Sequence, residues 1–484
     1  MRWASRWARI LLPVFAFASF IALAAGEAVP PNQAPAPGLK AATWACYQTG
    51  VLPSDIASGD FDGDGWLDLA VSCFGTGNVY FYKNLALAGM GVFRNDATLT
   101  TPVGGLPGAA ALAASDVGVY VLSDSMIPGT MPQLTVVPMG TLLRAGKALP
   151  PGTFDIVSAD LDHERLLDDV IELQDFGPAQ VEDLSKGTAY SVAGTDSYVA
   201  AATGDMNQDG WQDIVILTSD RLLIAYNCAG VGGTPVYLPP VEVGSGNQAL
   251  GLQKPTGVAV GDFDSDGLMD IVVVGNNPQG DLVSGYARVF LNTPHAVGSV
   301  FSPLPASRPM MTWGFNAVDV VTGDLDGNGR DDFAVVNKGS DTVTVFLSDA
   351  LPTLQADDRA TTERCLSDAD RKADRLQIQF RMYKLELQCG HQPVAATVGD
   401  FDFNGKPDIA VALLSATPEA MPQNSSCIEV LFDVACGFHQ SGKSNVPGQT
   451  PHSQIPGVAA QESKSCVGCP PCSSTSSTES GSGN

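Results

Sequence analysis

Short apolar, largely β-branched runs recur along the chain in groups of three, each group divided by polar, glycine-rich turns. The middle runs are Leu69-Ala-Val, Ile214-Val-Ile-Leu, Ile271-Val-Val-Val, Phe333-Ala-Val-Val and Ile409-Ala-Val-Ala. A third run follows each after a turn: Val79-Tyr-Phe-Tyr, Leu222-Leu-Ile-Ala-Tyr, Ala287-Arg-Val-Phe-Leu, Val343-Thr-Val-Phe-Leu and Ile428-Glu-Val-Leu-Phe. The first runs are shorter and partly apolar, as in Tyr198-Val-Ala-Ala, Gly257-Val-Ala-Val and Val394-Ala-Ala-Thr. Runs of this length with Gly, Asn and Asp between them predict strands.

Between the first and second strand of a group stands one polar segment, written five times: GDFDGDGWLDLAV, GDMNQDGWQDIVI, GDFDSDGLMDIVV, GDLDGNGRDDFAV and GDFDFNGKPDIAV. Each specified position matches by chance in roughly one case in ten to twenty, so five copies are not accidental. The loops begin at Asp60, Asp205, Asp262, Asp324 and Asp400, and a worn copy (ADLDHERLLDDVI) begins at Asp160.

One loop has the chemistry of a hard-cation site. Positions 1, 3, 5 and 9 carry Asp60, Asp62, Asp64 and Asp68; Asp205, Asn207, Asp209 and Asp213; Asp262, Asp264, Asp266 and Asp270; Asp324, Asp326, Asn328 and Asp332; and Asp400, Asp402, Asn404 and Asp408. The backbone carbonyl at position 7 adds a further oxygen, from Trp66, Trp211, Leu268, Arg330 and Lys406 respectively. Calcium takes six to eight oxygens in irregular geometry, whereas zinc prefers the His or Cys that these loops lack. Position 6 is Gly65, Gly210, Gly267, Gly329 or Gly405, where a sharp turn calls for positive φ. The competing reading of any one copy is a metal-free Asp/Gly hairpin turn. An EF-hand is excluded: its bidentate acid at position 12 is replaced by Val71 or Ile216, and the flanks are not helical.

On these residues the unit resembles the FG-GAP/VCBS repeat of integrin α-subunit propellers and of many exported microbial proteins, over roughly residues 40–440. The resemblance implies one four-stranded blade per repeat, with calcium loops clustered on one face. The Phe-Gly pair occurs only at Phe74-Gly75 and Phe176-Gly177, which favours the VCBS-like end of the family. At Asp160 the copy has Glu164 at position 5 and Arg165 in place of Gly, so metal is not expected there. The stretch from Ala111 to Met139 reads as a blade without a metal loop.

Five full copies, one worn copy and one loopless blade predict an all-β, seven-bladed β-propeller, the alternative being a linear array or another blade count. The last repeat supplies three strands. Lys40-Ala-Ala-Thr-Trp-Ala-Cys-Tyr-Gln, ahead of the first loop, is the expected fourth, closing the ring. The expected organisation is an export signal at 1–26, a propeller at 38–440 with a charged insert at about 355–390 forming a helix and then a strand, and a disordered Cys/Ser-rich tail at 441–484.

Composition narrows the function. The net charge is −26 at pH 7, and the ligand positions hold 17 of the acidic groups, so about five Ca²⁺ would offset much of it. No basic stripe suits nucleic acid. Arg2, Arg6 and Arg9 precede an apolar run from Ile10 to Ala25 with small residues for cleavage, which reads as an export signal for secretion, the cell surface or a periplasm. An uncleaved anchor is the alternative, but the run is short and contains Pro13; integral membrane association is not expected.

Ten Cys in an exported chain imply disulfides. Cys46 on the closing strand is expected to pair with Cys436 or Cys427, and Cys365 with Cys389, while Cys73 and Cys228 suit small buried positions. Cys466, Cys469 and Cys472 lack a fourth ligand and fit cross-linking better than metal. The five His are scattered and no nucleophile motif appears, so no catalytic residue is assigned. The leading expectation is a monomeric, calcium-binding propeller that binds an extracellular protein or glycan. A polysaccharide-cleaving enzyme or its accessory domain, and a purely structural surface protein, are the alternatives. Exposed aromatics on the face opposite the loops would mark a binder, with Trp313 as the candidate, although a core position is the favoured reading of that Trp.

Overall fold

The computed structural model describes residues 43–86, 91–95, 101–102, 108–115, 118–123, 131–137, 146–162, 169–175, 177–184, 186–192, 197–229, 235–243, 250–276, 284–293, 309–350, 378–417 and 426–434. The export segment, the tail, the helix expected in the insert, and Cys365, Cys436, Cys466, Cys469 and Cys472 lie outside them.

Seven antiparallel sheets form the ring. From the axis outward, blade 1 is Pro53–Gly59, Asp68–Cys73, Asn78–Asn84 and Phe93–Asn95, with Thr101–Pro102 beside the third strand. Blade 2 is Ala109–Ser115, Gly118–Ser123, Gln133–Val137 and Lys147–Ala148; this is the blade expected to lack a loop. Blade 3 is Thr153–Ala159, Asp169–Gln174, Gln180–Asp183 and Thr188–Ser191. Blade 4 is Tyr198–Gly204, Asp213–Thr218, Leu222–Ala225 and Val241–Glu242, with a side hairpin of Asn227–Ala229 and Pro235–Tyr237. Blade 5 is Pro255–Gly261, Asp270–Asn276, Ser284–Phe290 and Met310–Phe315. Blade 6 is Ala317–Gly323, Asp332–Asn337, Thr342–Ala350 and Ile378–Glu386, the last being the strand expected in the charged insert.

Blade 7 closes the ring. Gly390–Gly399, Asp408–Ala416 and Ser426–Phe432 come from the end of the chain, and Thr43–Thr49 from its start is the fourth strand. It pairs in register from Thr43 opposite Phe432 to Thr49 opposite Ser426.

Second strands such as Asp68–Cys73, Asp169–Gln174 and Asp332–Asn337 are buried along their whole length. A neighbouring blade covers each of their faces, which is why they read as continuous apolar runs rather than as alternation. The core accordingly divides into seven clusters among the described residues, each between two adjacent blades. The cluster of Tyr47, Leu69, Val71, Phe401 and Ile428 joins blade 7 to blade 1.

Every inner strand carries a register shift near its start, as between Pro53 and Asp55 or Ala317 and Asp319. Such bulges sharpen the twist where strands crowd around the axis. At two of them a carboxylate ties one blade to the next. Asp55 accepts the Leu112 N–H at 2.8 Å, and Asp319 accepts the Ala396 N–H at 2.9 Å.

The disulfide differs from expectation. Cys46 pairs with Cys389, Cα–Cα 5.7 Å, and not with Cys427; Cys389 is therefore not available to Cys365. In register Cys46 faces Glu429 and Cys427 faces Gln48, so those two cysteines are only diagonal neighbours. Cys389, in the turn between Glu386 and Gly390, lies over the same strand, and the buried Cys427 thiol donates to its carbonyl at 3.3 Å. Cys73 is buried as expected, but Cys228 is only half-buried.

Candidate metal centres

All five full loops fold alike, and the sequence explains why. The position-1 carboxylate gathers the turn: Asp60 accepts the N–H groups of Asp64 and Gly65 at 3.0 and 2.9 Å, and Asp400 those of Asn404 and Gly405 at 2.9 and 2.8 Å. Asp205, Asp262 and Asp324 do the same. Position 3 accepts the N–H of position 5, and position 5 that of position 7, in successive Asx turns. Position 6 is glycine at φ 82° to 89° in every loop, with open space where a Cβ would stand, so backbone conformation alone demands it. Position 4 is also left-handed, and there Phe403 (φ 61°) occupies a place held elsewhere by Gly63, Gln208, Ser265 and Gly327.

Position 9 anchors the loop to the sheet. Asp68, Asp213, Asp270, Asp332 and Asp408 are fully buried and start the second strands. One oxygen of each accepts an N–H at or just past the end of the third strand: Asn84, Asn227, Asn292, Ser348 or Asp433, at 2.6–2.9 Å. In four of them the other oxygen accepts the N–H of position 2.

The structure brings three carboxylates together in four loops, with one oxygen of each within 4.8 Å of the others: Asp60, Asp62 and Asp68; Asp262, Asp264 and Asp270; Asp324, Asp326 and Asp332; Asp400, Asp402 and Asp408. The fifth loop has Asn207 at position 3, an amide oxygen in place of a carboxylate. The cost of this convergence falls on the buried member. Burial first, and then the neighbouring carboxylates, push Asp68, Asp213 and Asp332 up to about 7 and Asp270 and Asp408 up to about 8. Asp264 and Asp402 rise to about 6 for the same reasons.

The donor set fits a hard divalent cation. It is all oxygen, and Asp68 Oδ2 is buried with no hydrogen-bond donor in reach. Asp60, Asp62, Asp64, Asp68 and the Trp66 carbonyl would hold the ion in blade 1, and the equivalent positions elsewhere. A cation bound there would supply charge that keeps the carboxylates ionised.

Side-chain cations already serve some loops. Lys83 pairs with Asp62 and lies 3.1 Å from Asp64, and Arg381 lies 3.2 Å from Asp326. In the worn loop of blade 3, Lys186 pairs with Asp162 and sits 3.2 Å from Asp183. That loop is one residue longer, so Asp169 takes the anchoring role, accepting the Leu161 and Asp162 N–H groups at 2.8 and 3.1 Å. Glu164 and Arg165 lie outside the described residues.

Trp313 is half-buried at φ 54°, and the exposed aromatic on its strand is Phe315, 48% exposed. Phe315 faces Ser284, at the end of blade 5 away from the loop, so the face opposite the loops does carry an aromatic. Sequence reading missed Phe403, the most exposed large apolar side chain among the described residues at 63%, which packs on Trp66 with ring centroids 4.6 Å apart and the rings tilted by 34°. A bulky residue at position 4, where small or polar ones stand in the other loops, was the available signal.

Residues 205–273 and 262–335 match the FG-GAP-like repeat family. The chain is a seven-bladed β-propeller that contains FG-GAP-like repeats. Each match starts at the first aspartate of one loop and runs through the loop of the next blade, so the first spans blades 4 and 5 and the second blades 5 and 6. No curated protein matches this FG-GAP-repeat chain. Among solved structures, the N-terminal domain of Nup159 is 10% identical over 82% of this chain and 97% of its own, at a TM-score of 0.43. BBS1N in complex with ARL6DN is 11% identical over 79% and 93%, at 0.40. Likeness at that level says nothing about partners.

Proposed function

We propose that the protein is an exported β-propeller stiffened by calcium in five loops, and that it binds an extracellular protein or glycan. The repeated loop carries the reading: one turn, built five times from the same hydrogen bonds, with three carboxylates converging in four of the copies and position 9 tied into the sheet in all five. A cation there would join the first, second and third strands of a blade through one set of ligands. That is a structural task, and it leaves the ring free to present a surface. Phe403 on the loop face and Phe315 on the opposite face are exposed aromatics that such a partner would cover. No helix among the described residues is long and apolar enough to cross a membrane. Export rests on the basic and apolar start of the chain, and it suits loops that fill near millimolar calcium.

Elemental analysis of the mature protein dialysed against buffered calcium should find about five calcium ions and no zinc; one ion or none would refute the metal assignment. A glycan array and an extracellular-protein panel should then give binding without turnover, and sugar products would place the protein among enzymes instead.

A further inference from the structure

In blades 4, 5, 6, 7 and 1 each loop touches the loop of the neighbouring blade through the same positions. Position 8 lies over the glycine that precedes the neighbour's first aspartate. A Cβ on Gly261 or Gly399 would stand 3.0 Å from Asp331 or 2.7 Å from Leu67. One on Gly204 or Gly323 would stand 3.6 Å from Met269 or 3.9 Å from Pro407, and closer still, at 2.9 and 3.2 Å, to Val260 or Val398 of the neighbouring first strand. None of these glycines is left-handed, so close approach, and not φ, accounts for the Gly of the Gly-Asp pair.

Position 7 reaches further into the neighbouring loop. Arg330 donates to the Asp264 carbonyl, Lys406 Nζ donates to the Asp326 carbonyl at 3.2 Å, and Trp66 packs on Phe403. From blade 4, Gln208 Nε2 donates to the Gly267 carbonyl at 3.0 Å. Blades 5 and 6 add a reciprocal pair: Asp331 N–H donates to the Asp262 carbonyl at 2.9 Å, and Asp262 N–H donates to Asp331 Oδ2 at 2.8 Å. The contacts fall on candidate ligand residues themselves, Asp262 at position 1 and Asp264 and Asp326 at position 3. The series stops at blade 1, where the three atoms nearest to a Cβ on Gly59 all belong to Phe61 of its own loop. Blade 2 has no loop to continue it.

We propose that the five loops are coupled neighbours, so that a cation held in one loop raises the affinity of the next and the arc from blade 4 to blade 1 fills cooperatively. This rests on the calcium reading above. A loop without its cation must spread carboxylates that repel one another, which displaces the peptide groups held by the adjacent loop. A filled loop holds those groups in place, and the effect is reciprocal because coupling of binding free energies must be. Asp331 and Phe403 are links and not ligands, so they can be changed without removing a donor.

The test is calorimetric titration of calcium-stripped protein with calcium chloride, with bound ions counted in parallel. The unmodified protein should give a sigmoidal isotherm with a Hill coefficient above 1. Asp331→Ala and Phe403→Ser should each bind as many ions with a lower coefficient. Terbium gives a site-resolved reading, because Trp66 at position 7 sensitises an ion in blade 1. In a Trp211→Phe background, which silences blade 4, removing the blade 7 ligands with Asp400→Ala and Asp402→Ala should shift the Trp66-sensitised curve to several-fold higher terbium. Five ions bound independently, or a Trp66 curve that blade 7 does not move, would overturn the coupling and leave the calcium reading standing. No bound ions would overturn both.

Discussion

Lys186 supplies blade 3 with a tethered positive charge between Asp162 and Asp183, whose side chains are fully buried. Replacing it with Met would leave both carboxylates without that partner. A fully buried pair broken in this way costs about 3–5 kcal/mol; the Lys186 side chain is 40% exposed, so about 1–3 kcal/mol is expected. Thermal melts should show the same loss with and without chelator, since no ion is invoked there. A loss that appears only with calcium present would mean that the worn loop holds metal after all.

Asp55 gives a second test at this scale, away from the loops. Burial, followed by the charges of Asp155 and Asp319 across the inner ring, raises it to about 7, against the two N–H groups it accepts; Asp319 rises to about 6. Both folded-state values lie above the unfolded carboxylate value of about 4. Between those limits the folded protein keeps protons that the unfolded chain has released, so these groups make stability fall as pH rises from about 4 to 7. In calcium-free protein, Asp55→Asn should flatten that part of the stability–pH curve; an unchanged slope would show that the shift is not expressed in the protein.

At the scale of elements, the closing strand Thr43–Thr49 is held by a full ladder to Ser426–Phe432 and by the Cys46–Cys389 bond. Deleting residues 38–50 should expose the edge of the third strand of blade 7 and promote aggregation, read by light scattering. Cys46→Ser should cost about 2–4 kcal/mol and reduce the dependence of the melting temperature on reductant. The closing strand was legible because a seven-unit count left the last blade one strand short and a lone apolar run stood ahead of the first loop. The disulfide partner was not. Cys389 reaches Cys46 only because a turn after the charged insert lies over the closing strand, and no periodicity encodes that path. Phe315 was missed for a related reason: Trp313 and Phe315 stand two apart on one strand, where a regular pleat would put both on the same face. The left-handed backbone at Trp313 and the register shift beside it are not written in the pattern. The loop ligands were legible because each loop is a local turn; the contacts between loops were not, because they join residues such as Asp262 and Asp331 across blades.

At the scale of the whole molecule, the ring is uneven. Blades 4, 5, 6, 7 and 1 carry full loops, whereas blade 2 has none and blade 3 relies on Lys186. On the proposed calcium assignment, at about 2 mM calcium and a site Kd of about 0.1 mM, one loop would contribute roughly 1.8 kcal/mol by mass action, and five loops without coupling roughly 9 kcal/mol. That matches the entire net stability of an ordinary domain, so chelation should lower the melting temperature sharply. Asp262→Ala with Asp266→Ala should reproduce part of the loss, and Asp160→Ala very little. The loss should also be localised. Each core cluster lies between two blades, so loosening the arc leaves the cluster of Ala111, Tyr120, Ile156 and Val170 between blades 2 and 3 intact. Hydrogen exchange after chelation should therefore accelerate in second strands such as Asp213–Thr218, Asp270–Asn276, Asp332–Asn337 and Asp408–Ala416 before it accelerates in Gly118–Ser123 and Asp169–Gln174. Uniform acceleration around the ring would mean that the blades open as one unit and that the loops stabilise the closure, not the individual blades that carry them.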